Sequence, residues 1–542
     1  MKFNMKTNDA TRLFLFSLLI LGFSFTFIRC KSLSSQKKPN IVFIMADDHT
    51  SQAIGVYGSR LAKLDPTPNI DALASGGMRF DRVYCNNSIC TPSRASIITG
   101  QYSQTNGVLD LAGNIPQKKQ HLPREMKAAG YQTAMIGKWH LKMEPKEFDY
   151  YSVLPGQGKY FDPLFRVRGD SAWGENTIQK KGQHSSDAIT DVSLEWLKNG
   201  RDKGKPFFLM HHFKAPHDMF DNAKRYNSYL EDVNIPMPDN LHNQPTKGFG
   251  SKATKEYGAG VTKNHPSWGI GNRLGVDQNL PEPEYGNTVY QKYLKRYLRC
   301  VKGVDDNVKR LIDYLKETGE LENTIIIYTG DQGFFLGEHD FIDKRWMYEE
   351  AFRMPFIVHW PKNIKGGSSN DWLINNTDFA PTILALAGVK KTPDYMQGRS
   401  FAAALRGDAK PKDWRKVTYY RYWMHMAHKL AVPAHFGVRS ERYKLIFFYG
   451  SDFFKVPPNR TELGWGMKNN KDLNRYHENT PVAWEFYDLE NDPHEMHNLY
   501  GNPEYAKVIG DMKLDLKKTR KELNETDENY PDIKKIIDSN WD

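Results

Sequence analysis

Cysteine is scarce, with 4 in 542 residues, and Cys30 closes an apolar leader. Cys85, Cys90 and Cys300 remain, which excludes a disulfide framework and leaves at least one thiol free or modified. Long apolar runs are also few. The run from Leu13 to Ile28 follows Lys2, Lys6 and Arg12 and falls short of the roughly 20 residues that span a bilayer. Residues 1–30 therefore read as a secretory signal. Cys30 stands where a lipoprotein carries its acylated cysteine, but Arg29 replaces the small residue usual before it. A lipid anchor at Cys30 and plain release into the periplasm or medium both stay open. There is no internal repeat, which excludes solenoids and arrays. There is no long block of lysine or arginine of the kind that follows a phosphate backbone, so nucleic acid is the weakest partner class. The net charge of +11 fits an anionic membrane or acidic substrate, and equally a solvated basic surface.

What is present is enough apolar residue, 39%, for a large core with a smaller partner. Ile41 to Met45, Phe207 to Met210, Thr324 to Tyr328 and Phe356 to Val358 are short continuous apolar runs, as buried parallel strands require. Several end in polar residues, where open α/β sheets build their sites. Val301, Val304, Val308, Leu311, Ile312 and Leu315 share one face of a helix expected over Tyr293 to Glu317. From Asn222 to Pro283 periodicity fades, which fits either a long loop laid over the site or a poorly ordered surface insertion. Beyond Asp413 the pieces Val438-Arg439, Tyr443 to Phe447 and Glu485 to Asp488 are strand-like. The expected fold class is α/β: a large, mostly parallel or mixed sheet flanked by helices over residues 37–410, and a smaller antiparallel-sheet subdomain with a closing helix over 411–542.

Two strand ends carry paired oxygen ligands, Asp47-Asp48 and Asp331-Gln332. Adjacent carboxylates alone usually mark a turn or cap. Two such pairs suit a hard cation, and calcium accepts about 6–8 oxygens in flexible geometry. Cys90 stands in Ser88-Ile89-Cys90-Thr91-Pro92-Ser93-Arg94, with Thr99-Gly100 beyond. A lone cysteine is ordinarily a small buried apolar residue. The eleven residues Cys90 to Gly100, however, resemble the signature of the type I sulfatases, and Gly130 to His140 resembles that family's second signature.

The resemblance runs from about Pro39 to about Tyr505, including Asp378 to Thr382, Gln397 to Ser400 and Tyr487 to Pro493. It implies an alkaline phosphatase-like sulfatase fold and an exported sulfuric ester hydrolase. Cys90 would be oxidised after translation to formylglycine (3-oxoalanine) by a formylglycine-generating or anaerobic sulfatase-maturing enzyme. The reason is chemical: a thiolate that attacked sulfur would be left as a stable S-sulfate, whereas a hydrated aldehyde can expel sulfate by re-forming its carbonyl. Arg94 would hold residue 90, Lys138 would contact sulfate, and His140 would take the hydrate's second proton. Asp47, Asp48, Asp331, Gln332 and residue 90 would hold one calcium ion. Gln332 replaces a common asparagine with an equivalent amide oxygen.

Looser matches make His217, in Lys214-Ala215-Pro216-His217, the acid for the leaving alcohol, with His211 and His212 as rivals. Lys344 would contact sulfate, while Arg345 beside it pairs with a carboxylate. The substrate would be a sulfated carbohydrate, with an algal polymer such as ulvan or carrageenan preferred to a glycosaminoglycan bearing sulfated hexosamine. Arg421, His428, His435 and the 222–283 loop are candidate sugar contacts. An inactive sugar-binding relative and a superfamily phosphodiesterase are the alternatives from other classes. The presence of Cys90, Lys138 and Asp331 argues against both.

Overall fold

The apolar runs form the centre of a ten-stranded sheet because residues on both faces of a central strand must be buried. Its strands are β1 (Asn40–Asp47), β2 (Met78–Phe80), β3 (Gln132–Lys138), β4 (Tyr150–Leu154), β5 (Leu164–Val167), β6 (Thr177–Gln179), β7 (Phe207–Pro216), β8 (Thr324–Gly330), β9 (Phe356–His359) and β10 (Ser368–Asn370). The order is β10-β2-β9-β8-β1-β7-β3-β4-β5-β6. The middle run from β8 to β4 is parallel, while β9, β5 and β6 bring antiparallel pairing to the flanks. The parallel strand expected at Phe356 to Val358 is thus corrected: β9 is buried but antiparallel to both β8 and β2, since an apolar run records burial and not direction. All of β1 and β7 is buried, so Ile41 to Ala46 and Phe207 to Met210 read as continuous apolar runs rather than alternating ones.

This computed structural model describes residue 1 and residues 37–243, 249–265, 269–453 and 478–542. The signal over 1–30 and Cys30 lie outside the described residues, as do parts of the 222–283 segment. Residues Pro39–Asp542 make one compact unit.

Helix α1 (Cys90–Thr99) is wholly buried and ends at Gly100, whose φ of 67° stops it. Helix α2 (Ser185–Glu195) and helix α3 (Glu284–Glu317) pack on each other and on β7. Helix α4 (Phe379–Leu386) sets Phe379 against Phe43 and Phe356, at ring separations of 6.3 and 4.6 Å. The expected start of α3 at Tyr293 is corrected to Glu284, directly after Pro283. Tyr285, Val289, Tyr293 and Tyr297 extend its buried face at four-residue spacing, a pattern that aliphatic counting misses because the ring is apolar and only its tip is polar.

The C-terminal strands β11 (Thr418–Tyr422), β12 (His435–Arg439), β13 (Tyr443–Phe448) and β14 (Ala483–Asp488) form an antiparallel sheet in sequence order. Helices α5 (Ala506–Glu522) and α6 (Pro531–Ser539) cover it with Leu516, Ile533 and Ile537 against Phe436 and Phe447.

Candidate active site

The site gathers where β1, β3, β7 and β8 end. Asp47 closes β1, and Asp48 follows with φ 64°, a left-handed turn that sets two successive carboxylates together. Tyr297 of α3 holds this turn: its hydroxyl donates to Asp48 O at 2.8 Å and accepts from Thr50 N at 3.2 Å. Asp331 follows β8, and its Oδ1 accepts from Asp48 N at 3.1 Å. Gly137 has φ 99°, and a side chain there would run into the His212 carbonyl; glycine thus lets β3 close on β7 just before Lys138.

Ligand atoms of Asp47, Asp48 and Asp331 all lie within 4.8 Å of one another, and all three residues are fully buried. Burial raises the Asp331 pKa to about 7, with Asp47 adding to it. Burial also raises Asp48, despite Lys344. For Asp47 burial acts upward too, but Lys138, His217 and Arg94 outweigh it and hold the carboxyl well below its usual range. Three such groups in one dry space repel each other, and a cation relieves that repulsion. Gln332 donates through Nε2 to Asp48, leaving a buried Oε1 with no hydrogen-bond partner. An all-oxygen set with an orphan amide oxygen fits a hard divalent ion.

Cations of the chain surround the same carboxylates. Arg94, 2% exposed, donates Nε to Asp331 Oδ2 at 3.0 Å and one terminal nitrogen to Lys138 O at 2.6 Å. Lys138 binds both Asp47 and Gln157. Lys344 Nζ reaches both Asp48 oxygens at 2.6 Å. Cys90 opens α1, its Sγ 3.3 Å from His140 Nδ1, and burial raises the thiol pKa. Burial, with Lys138 adding, lowers the His140 pKa well below its ordinary value. His217 follows β7 with Nε2 3.8 Å from Asp48 Oδ2.

Thus Asp47, Asp48, Cys90, Arg94, Lys138, His140, His217, Asp331, Gln332 and Lys344 come together. The rivals of His217 are engaged by other partners. His211 is fully buried against Ser193, with Nδ1 and Oγ 2.7 Å apart, and His212 lies within hydrogen-bond reach of the Lys138 carbonyl at 3.2 Å. Arg345 pairs with a carboxylate, Asp343 Oδ2 at 3.0 Å, and donates to Tyr422 OH and to His428 Nδ1 at 3.0 and 3.1 Å. That chain ties His428 to the residue next to Lys344.

Two other sugar-contact candidates are corrected. His435 is fully buried, with Trp346 stacked at 5.9 Å and Phe448 at 4.7 Å, because its β12 position faces the rings beneath the sheet. Arg421, 1% exposed, lies 3.4 Å over Trp423 and donates to Asp527 at 2.6 Å, so its charge is spent inside the C-terminal sheet. Gln157, by contrast, reaches the site without any family motif around it. Its signal is the setting Gly156-Gln157-Gly158, two glycines of positive φ that bend the loop toward Lys138.

A cavity of about 740 Å³, walled by Arg60, Glu338, Glu350 and Arg439 among others, contains none of these residues. A smaller one of about 210 Å³ has His140 in its wall. The chemistry, not cavity size, locates the site.

Buried carboxylates and cations around a side chain poised at the carboxyl ends of a parallel sheet define an α/β enzyme for oxyanion esters. The chain belongs to the sulfatase family, whose model matches residues 39–389, and is a sulfuric ester hydrolase. A second model, N-sulphoglucosamine sulphohydrolase, C-terminal, matches residues 337–455 and 452–522. An N-acetylglucosamine-6-O-sulfatase of Bacteroides thetaiotaomicron is 38% identical over 98% of this chain and 94% of its own. A solved structure in complex with its substrate D-glucosamine-2-N,6-O-disulfate is also 38% identical. It superposes with a TM-score of 0.77 over 91% of this chain and 99% of that one. An ulvan-active sulfatase of Formosa agariphila is 29% identical over 89% of this chain and 80% of its own.

Proposed function

We propose that this sulfatase removes the 6-O-sulfate of a glucosamine residue, N-acetylated or N-sulfated, in glycosaminoglycan-type sugars. The observation that carries this reading is the near end-to-end likeness to the Bacteroides enzyme and to the structure holding a 6-O-sulfated glucosamine. The ulvan-active relative is more distant. The preference for an algal polymer therefore gives way to the hexosamine alternative.

The proposed machinery follows the geometry. Asp47, Asp48, Asp331 and Gln332, with residue 90, would hold calcium, and residue 90 would be formylglycine made by a maturation enzyme. When present, calcium supplies charge against the sulfate oxygens, and the formylglycine hydrate supplies the attacking oxygen. Lys138 and Lys344, which pair with Asp47 and Asp48, would grip the sulfate through charge-assisted hydrogen bonds, and Arg94, paired with Asp331, would orient residue 90. His140 is within reach of residue 90 and accepts a proton there, while His217 donates one to the departing sugar oxygen. His428, held by Arg345, would contact the sugar, together with the 222–283 segment. The basic surface would draw polyanions toward the cleft. Export to the periplasm or cell surface, with Cys30 lipidated or the chain released, is proposed from the leader alone.

A panel of defined sulfated oligosaccharides, scored by which position loses sulfate, tests the reading. Sulfate should leave the 6-position of glucosamine. Turnover of ulvan or carrageenan fragments with none of the hexosamine would overturn it.

A further inference from the structure

Asp218 directly follows His217, and its Oδ1 lies 2.6 Å from His217 Nδ1. The Asp218 carbonyl oxygen lies 2.9 Å from the same nitrogen. Two acceptors on one ring nitrogen require Nδ1 to carry hydrogen, so Nε2 is the atom that faces the reaction and bears the second proton of the imidazolium when the ring acts as an acid. Nε2 is the nitrogen beside Asp48, at 3.8 Å. The loop is braced from outside as well. Tyr160 donates its hydroxyl to the His217 carbonyl, and Lys214 Nζ lies 4.6 Å over the Tyr160 ring. Arg273, from the short helix Ile270–Arg273 within the 222–283 segment, pairs with Asp218 Oδ2 at 3.4 Å. One carboxylate thus ties the histidine through one oxygen and the covering segment through the other.

We infer that Asp218 is a positioning residue for proton delivery: it fixes His217 so that Nε2–H points at the bridging ester oxygen, and Arg273 holds Asp218 in place. The inference rests on the reading of His217 as the acid. In the step it serves, a new sulfur–oxygen bond forms on the side of residue 90. The bond from sulfur to the sugar oxygen breaks, and its electron pair stays on that oxygen. The sugar oxygen takes the proton from Nε2, leaving a neutral ring whose Nδ1–H still donates to Asp218. An alcohol needs that proton to depart, whereas an acidic phenol does not.

The test compares 6-O-sulfated N-acetylglucosamine with 4-nitrophenyl sulfate on matured, calcium-loaded protein. His217→Ala should lower kcat on the sugar by about 10²-fold or more and on the aryl ester by far less. Asp218→Ala should show the same selectivity at about 10- to 10²-fold, with KM for the sugar little changed, and Asp218→Glu should recover part of the loss. Nitrogen-15 spectra of the neutral histidine ring should report the Nδ1–H tautomer at His217 in the parent and a mixture of tautomers in Asp218→Ala. Equal losses on both esters in His217→Ala would overturn the acid reading and the inference with it. Selective loss in His217→Ala but unchanged kcat, equal losses on both esters, or a rise in KM alone in Asp218→Ala would overturn only the role of Asp218.

Discussion

Cys90 Sγ and His140 Nδ1 stand 3.3 Å apart across a sequence separation of 50 residues. One opens α1 and the other follows β3, so the pair exists only because the helix start is laid against the end of that strand. Peptide mass spectrometry on protein from a host with a maturation enzyme should find residue 90 converted from thiol to aldehyde. Cys90→Ala should lose about 10⁴-fold or more of sulfate release while still folding, since only one buried sulfur atom is removed.

Asp47, Asp48 and Asp331 crowd their ligand atoms within 4.8 Å in a dry space. Chelation should lower activity, and calcium, not zinc, should restore it. Titrating calcium into chelated protein should raise the thermal midpoint with concentration, by the equivalent of about 2.7 kcal/mol at a hundredfold excess over Kd. A midpoint that ignores calcium would count against the site.

Lys344 reaches both oxygens of Asp48, and no other lysine or arginine contacts that carboxylate among the described residues. Lys344→Ala should reduce kcat/KM by about 10²- to 10³-fold. In metal-free protein the same change leaves Asp48 buried without its cation, at a cost of about 3–5 kcal/mol in urea unfolding.

His428 is tied to Arg345 rather than to the acidic ligands. His428→Ala should therefore raise KM for the sugar about tenfold, in line with losing one good contact, while leaving turnover of a small aryl sulfate near the parent rate.

Glu525 is 1% exposed, and burial raises its pKa to about 7 from 4.5. Between those values the unfolded chain has lost the proton that the folded chain keeps. The unfolded state then binds fewer protons, and stability falls as pH rises from about 4.5 to about 7, by about 3 kcal/mol from this group. Glu525→Gln should flatten that slope in denaturant unfolding across the window and be the more stable protein at pH 7. An unchanged slope would assign the pH dependence to other groups.

The sequence by itself determined the central strands β1, β7 and β8, because a parallel strand in the middle of a sheet must be apolar on both faces and so writes itself as an apolar run, whereas the shorter flanking strands, half exposed or polar, carry no such mark. It also marked Cys90, Arg94, Lys138 and His140, because the two short segments that hold them resemble the signatures of the sulfatase family residue by residue. Tertiary structure decided which of the remaining polar residues reach that cluster. Arg421 and His435 looked as available as His428 in one dimension, yet sheet pairing turns the first two inward and leaves only His428 on the chain from Arg345. Asp218 gained its meaning the same way. Adjacency placed it beside His217, but only the folded loop, braced by Tyr160 and Arg273, aims its carboxylate at Nδ1. Direction in space depends on strand order and loop packing across hundreds of residues, and no local pattern records it.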